Sequence, residues 1–414
     1  MPKKVSLLSP AGSFDSLQAA INAGADAIYF GVEQLNMRTC SSHPFTLKDI
    51  AEVAATCKDH GVKSSITLNT VMYEHDRRLL QEILAEVKAH QIDSVIASDF
   101  AVIEQCRSLG IPLHVSTQAN VSNLDSVKFF ANFSDVIVLA RELTLKQVEH
   151  ITREIIRQDI RGISGHLMQI EIFGHGALCM AISGKCYLSL HEQNASANRG
   201  ACTQNCRRSY EVTDTETGNQ LLIENEYIMS PKDLCTLPFL DEVVDSGIDI
   251  LKIEGRSKGA DYVHVVTKCY RDALDDIEAG TFTLEKIHEY IDHLSSVYNR
   301  GFWDGYYLGR KLGEWTKNPG SIAKDKKIYL GKATKYYPKI GVGEFLIETG
   351  KIKVGDTLLV SGAKLGVQKE KFETLRVNGV EQVEAGKGDK ITFPVAAKLT
   401  PQDKLYKIVS TTDE

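Results

Sequence analysis

This 414-residue sequence predicts an α/β chain built on a (β/α)8, TIM-like barrel, with a small all-β domain behind it. Three observations carry that reading. Eight short β-branched runs recur before residue 256, and helix-period stretches fall between most of them. Near Asp325 the texture changes to closely spaced β-type runs separated by turns. The length is too great for one core and asks for more than one domain.

The β runs fall at 6–10, 27–31, 63–69, 94–99, 113–118, 135–141, 169–174 and 249–255. Amphipathic stretches such as 15–23 and 47–60 fill the gaps. Gly24, Gly61 and Gly247 each sit where such a stretch ends, the place a left-handed residue closes a helix. Periodicity cannot show closure, so a doubly wound open sheet is the alternative to the barrel. The unit after the seventh run departs from the pattern. Residues 174–231 form a long insertion rich in Gly, Asn, Ser and Cys. After the eighth run, 261–276 and 284–298 read as helices, and the barrel domain is assigned to 1–310. A basic linker at 311–324 leads to a β-barrel domain at 325–414, with runs at 328–334, 340–347, 356–360, 372–377, 390–393 and 404–408.

Cys179, Cys186, Cys202 and Cys206 fall within 28 residues of the insertion. Short loops let four thiols converge. In a reducing compartment such a group holds a metal more readily than two disulfides. Either a tetrahedral zinc or an iron–sulfur cluster fits four thiolates. Cys40, Cys57, Cys106, Cys235 and Cys269 are scattered and bring the total to an odd nine, the usage of a cytoplasmic protein. No apolar stretch reaches membrane-spanning length, and the apolar run near Met1 is too short for a signal peptide.

Barrel active sites form at the carboxyl ends of the strands. Those ends carry Asn69, Asp99, Gln118, Arg141, Glu142, Glu171, His175, Lys252, Glu254 and Arg256. Arg141, Lys252 and Arg256 suit the carboxylates of a small anion, with Asn69 and Gln118 as polar partners. Glu171, His175 and Glu254 are the candidate acids or bases. His-Glu-x-x-His, Gly-x-Ser-x-Gly and P-loop motifs are absent. The net charge is −6, yet nine basic residues from Arg310 to Lys339 face only Glu314 and Asp325. That local +7 reads either as a phosphate-backbone footprint or as a solvated linker.

The order Glu171-x-Phe173-x-x-Gly176-Ala177-Leu178-Cys179-x4-Gly184-x-Cys186-x-Leu188-Ser189 resembles the signature of peptidase family U32, the collagenase-like peptidases. The segments 8–12, 24–31, 198–202, 229–234 and 252–256 extend the resemblance over most of the chain. The layout with a C-terminal β domain is similar to that of the family's bacterial tRNA-hydroxylating members. The resemblance implies 5-hydroxyuridine formation at the tRNA wobble position, with prephenate as co-substrate. It also implies an iron–sulfur cluster, 4Fe-4S, on Cys179, Cys186, Cys202 and Cys206, with Cys235 as a substitute for the last. Hydroxylation of 23S rRNA and collagen-type peptidase activity are the alternatives within the same resemblance.

Overall fold

The structure is a computed structural model and describes residues 4–38, 45–211, 213–218, 229–309, 313–318 and 320–411. Seven strands alternate with helices in the first half: β1 (Ser6–Pro10), β2 (Ala27–Gly31), β3 (Lys63–Leu68), β4 (Ser94–Ala97), β5 (Leu113–Val115), β6 (Val136–Val138) and β7 (Gln169–Ala177). After the insertion come β8 (Asp233–Cys235), β9 (Ile250–Ile253) and β10 (Phe302–Trp303). Each of β1 to β6 pairs in parallel with the next, β7 pairs in parallel with β9, and β9 pairs in parallel with β1. That ring of eight parallel strands is closed, which excludes the open doubly wound sheet. All eight strands lie on the runs legible in the sequence.

Parallel strands covered by helices are buried on both faces, so they read as continuous apolar runs. The Ser-Val-Ile-Ala of β4 and the Ile-Leu-Lys-Ile of β9 are buried at every position. The surrounding helices bury one stripe. Helix Leu145–Arg157 buries Leu145, Val148, Ile151, Thr152 and Ile155, and Thr144 with Gln147 closes its amino end as a capping box. Among the described residues, no helix is long and apolar enough to cross a membrane.

β8 and β10 have no counterpart in the sequence reading. β7 runs on past the barrel rim, and β8 pairs antiparallel with that overhang, His175 opposite Cys235 and Ala177 opposite Asp233. β10 adds in parallel to β8. Gly176 allows the overhang. Its φ is +107°, and a Cβ there would stand 2.3 Å from the Glu254 carbonyl oxygen.

The C-terminal domain holds β11 (Asp325–Tyr337), β12 (Val342–Ile347), β13 (Lys351–Lys353), β14 (Thr357–Gly362), β15 (Gly366–Lys371), β16 (Leu375–Val377), β17 (Val380–Gln382), β18 (Glu384–Gly386), β19 (Lys390–Pro394) and β20 (Lys404–Ser410). Eight of them form one antiparallel sheet in the order β15-β14-β20-β11-β12-β19-β16-β17, and β13 pairs with β18. The outer strands β15 and β17 are not paired with each other, so the sheet keeps open edges where a closed small barrel is expected. Its own core contains Leu330, Phe345, Val360, Leu375 and Ile391, with Phe345 stacked on Phe393 at 4.7 Å.

The two domains are docked through helix Phe14–Asn22. The Ser361 hydroxyl donates to the Asp15 carboxylate at 2.7 Å, and the Asn22 amide donates to the Leu365 carbonyl at 3.0 Å. Lys327 pairs with Asp261 at 2.6 Å and Lys324 pairs with Asp292. Lys332 pairs with Glu348 at 3.1 Å. Lys324, Lys327 and Lys332, three of the nine basic residues of that segment, are therefore ion-paired within the chain. Arg310 and Lys311 lie outside the described residues.

Gly366 is the tightest point of the dock. Its φ is +71°, and a Cβ would stand 2.8 Å from the backbone nitrogen of Ala19. Gly366→Val should loosen the domains and cost about 1–3 kcal/mol, as overpacking does. Limited proteolysis should then cut between the domains while each keeps its core. A melting curve and digestion pattern unchanged from the parent would contradict the dock.

Candidate functional site

The carboxyl ends of the barrel strands and the insertion enclose a cavity of about 970 Å³, open mouth included. Its floor is a buried ion pair. Glu171, from β7, has no exposed surface and accepts from the Lys252 ammonium of β9 at 2.7 Å. His114 Nδ1 of β5 lies 3.2 Å from the same carboxylate. Burial raises the Glu171 pKa, but Lys252 and His114 outweigh it and hold the carboxyl at about 2. Lys252 also lies 4.5 Å from the centre of the Tyr29 ring.

Above the floor, Glu254 accepts from Arg38 Nε at 3.0 Å and from the Tyr29 hydroxyl at 3.2 Å. Burial would raise its pKa, and Arg38, Arg256 and Arg141 instead hold it at about 2. Arg256 donates to the Thr67 hydroxyl at 2.6 Å and to Asn36 Oδ1 at 3.3 Å. Arg141 lies over the Phe173 ring at 4.3 Å and donates to the Ala177 carbonyl at 3.0 Å. The Nε atoms of Arg141 and Arg256 are buried without an acceptor. Asn69 donates to Gln118 Oε1 at 3.4 Å, and both side chains line the cavity.

Charge decides what such a cavity takes. Arg38, Arg141, Lys252 and Arg256 face Glu171 and Glu254: four cations, two anions, an excess of two. Two orphaned guanidinium donors in a low-dielectric pocket want an anion, because buried unpaired donors are costly. A small dianion matches both the charge and the donors.

All four clustered thiols open onto this cavity. Cys179 is exposed, and Cys186, Cys202 and Cys206 are half-buried. Burial raises the pKa of Cys186 and of Cys206, and the neighbouring thiols add to the effect. The segment is pinned from outside. Arg199 donates to Asp76 at 2.9 Å and covers the Tyr73 ring at 4.5 Å. The Cys186 amide donates to Asn198 Oδ1 at 3.3 Å. Among the described residues, no three His, Cys, Asp or Glu side chains approach closely enough to hold a single metal ion.

The strand-end reading thus places Asn69, Gln118, Arg141, Lys252, Glu254 and Arg256 around one cavity with the four thiols, and Glu171 beneath them. His175 falls elsewhere. The pairing of β7 with β9 shifts register between Phe173 and His175, and such a bulge turns the following side chain to the other face. His175 is buried among Tyr262, Tyr270 and Phe302, and burial pushes it down to about 3. Asp99 caps helix Phe100–Leu109. Cys235 is buried on β8 with the Tyr270 hydroxyl 3.7 Å from its sulfur, and burial raises its thiol to about 11. It does not line the cavity, so the geometry does not offer it as a substitute for Cys206. Arg38, Tyr29, Asn36 and His114 escaped the sequence reading. Arg38 lies seven positions past the end of β2, beyond the stretch where strand ends are read.

A closed barrel with a cationic, thiol-walled cavity at its strand ends has the layout in which barrel enzymes place their active sites. The chain is a member of peptidase family U32, whose profile matches residues 12–317. It is 49% identical to a protein named collagenase from Porphyromonas gingivalis, over 97% of each chain. It is 35% identical to tRNA hydroxylation protein P of Helicobacter pylori, over 80% of this chain and 81% of that one. It is 33% identical to the 23S rRNA 5-hydroxycytidine C2501 synthase of Escherichia coli, over 75% of this chain and 46% of that one.

Removing one partner of the floor pair strands the other as a buried charge. Glu171→Ala should destabilise the fold by about 3–5 kcal/mol. The double change Glu171→Leu with Lys252→Met should recover most of that in denaturant melts. Equal losses in the single and the double variant would show that the pair itself holds the barrel shut.

His175 sets an acid limit. An unfolded His binds a proton below about 6.5, while His175 in the fold resists until about 3. Stability is therefore full above pH 6.5 and falls as pH drops towards 3. Glu171 and Glu254 add their loss only below about 4.5, since both are held at about 2 in the fold. Between pH 6.5 and 4.5 the melting temperature should fall less steeply in His175→Gln than in the parent. Parallel curves would mean that His175 is protonated in the fold.

Proposed function

We propose that the chain hydroxylates a pyrimidine of RNA, with tRNA uridine as the target, and that a small dianion of the prephenate kind binds in the barrel cavity as co-substrate. The observation that carries this reading is the shared cavity, where an excess of two cations and four thiols meet. The relatives named for tRNA hydroxylation and for rRNA hydroxycytidine synthesis supply the reaction class.

The donor set suits an iron–sulfur cluster on Cys179, Cys186, Cys202 and Cys206. It is all thiol and it lines open cavity. A bound cluster would supply redox chemistry or a Lewis-acidic iron at that wall. The chain's own side chains do the rest. Arg141 and Arg256 turn their free Nε donors to the carboxylates of the dianion. Glu254 holds Arg38 in place, and Glu171 holds Lys252. Both carboxylates stay ionised and cation-bound, so they are weak proton acceptors at neutral pH and serve as positioning groups. Asn69 and Gln118 present amides to the rest of the small molecule.

Peptide hydrolysis is the second reading, favoured by the name of the 49% identical relative. It needs an activated nucleophile beside a base, or a metal-bound water. No histidine lines the cavity among the described residues, and its carboxylate Glu254 is tied to Arg38. The cavity is better made for an anion than for a peptide bond.

Nucleoside mass spectrometry of tRNA and 23S rRNA from a strain lacking the gene tests the proposal. A hydroxylated pyrimidine should vanish on deletion. The parent gene should restore it, and Cys179→Ser with Cys202→Ser should not. Anaerobically purified parent protein should carry iron with acid-labile sulfide. Unchanged nucleosides, together with collagen cleavage by the purified protein, would overturn the proposal in favour of the peptidase.

A further inference from the structure

A second cavity lies against the first. Cys179, Cys202, Cys206 and the Arg38–Glu254 pair line both, so they form a shared wall. The second cavity encloses about 620 Å³, mouth included, and draws its cations from three separate segments. Arg207 comes from the insertion, Lys258 from the loop after β9, and Arg300 from the loop before β10.

Their partners leave charge over. Arg300 pairs with Asp233 at 3.3 Å, and Arg38 with Glu254 at 3.0 Å. Among the described residues Arg207 donates to neutral oxygens: the Pro231 carbonyl at 2.5 Å, the Leu178 carbonyl at 2.6 Å and the Ser230 hydroxyl at 3.2 Å. The Lys258 ammonium rests on the Tyr298 ring, 3.0 Å from its centre, and forms no ion pair with a carboxylate among the described residues. With Lys258 protonated, four cations face two carboxylates, an excess of two that the first cavity does not use. Burial and then Arg300 push Lys258 down to about 7 against the pull of Asp233, so an arriving anion would favour its charged form. The site sits past the seventh and eighth strands of the ring, β7 and β9, where barrel folds repeatedly hold phosphate.

We propose that this second cavity binds a phosphate ester. A lysine point charge and two guanidinium groups converging from different loops suit the several oxygens of a phosphate better than a planar carboxylate. The assignment to RNA rests on the reading above: the occupant is a backbone phosphate beside the nucleotide to be modified. The base then approaches the shared wall while the small dianion waits on its other side. Lys258 is the group to change, since it holds no other side chain in place by an ion pair.

The test uses the full chain, the parent against Lys258→Gln, with Lys258→Arg as the conservative control. One probe is a fluorescent anticodon stem–loop RNA titrated across a range of salt. The other is inorganic phosphate, followed by calorimetry. Lys258→Gln should bind the RNA about ten- to a hundredfold more weakly, with a salt slope smaller by about one. It should no longer take up phosphate, and Lys258→Arg should recover both. Iron content should be equal in all three proteins. RNA affinity and slope unchanged in Lys258→Gln, with no phosphate bound by the parent, would overturn the site and leave the RNA reading standing. Phosphate binding that depends on Lys258 in a parent that binds no RNA would keep the site and sink the RNA reading. Loss of iron in Lys258→Gln would overturn the site as well, because Lys258 would then be balancing thiolate charge.

Discussion

The ion pair of Lys252 with Glu171 lies where the barrel closes. Glu171 stands on β7 and Lys252 on β9, and the β7–β9 ladder is the seam that turns the strands into a ring. A buried charge pair is stable only when its geometry is good and its remaining valences are met. Here His114 meets the second carboxylate oxygen and the Tyr29 ring faces the ammonium. That floor stands on β9, which leads straight into Glu254 and Arg256 on the cavity wall. It also uses up the charge of Lys252, so the cations left for a ligand are the arginines.

The same economy explains the wall of thiols. The insertion leaves the barrel after the β7 overhang and returns at β8, which pairs back onto that overhang. Cys179 follows the overhang directly. Arg207 ties the later part of the segment to the Leu178 carbonyl, and Arg199 ties its middle to Asp76. Thiols at the two ends of a 28-residue stretch are thereby drawn around one space. That space lies between two cationic cavities, the one proposed for a small dianion and the other for a phosphate. This arrangement is what supports the RNA-hydroxylating reading. The collagenase name finds no comparable set of groups in the cavity.

Much of this was legible in the residues. Buried parallel strands announce themselves as short β-branched runs, and a barrel brings every strand end to one mouth. Reading those ends was therefore enough to collect Asn69, Gln118, Arg141, Lys252, Glu254 and Arg256. The failures have local causes. A bulge after Phe173 carried His175 to the outer face, and one-residue shifts leave no mark in a sequence. Arg38 reaches the cavity from a loop that strand periodicity does not describe. The lysines at 324 and 327 looked free because their partners, Asp292 and Asp261, lie 32 and 66 residues earlier. β8 is three residues long and borrows its pairing from an overhang that was itself unforeseen.

The central claim is that the thiols and the anion site share one cavity. The direct measurement is the electron paramagnetic resonance spectrum of reduced protein loaded with iron and sulfide, recorded with and without a saturating dicarboxylate such as prephenate. A dianion held by Arg141 and Arg256 beside the thiols must perturb a metal centre on that wall. The spectrum should shift in the parent protein and stay still when both arginines are replaced by Ala. Identical spectra with and without bound dianion, in a parent shown by calorimetry to bind it, would place the anion elsewhere and contradict the shared cavity.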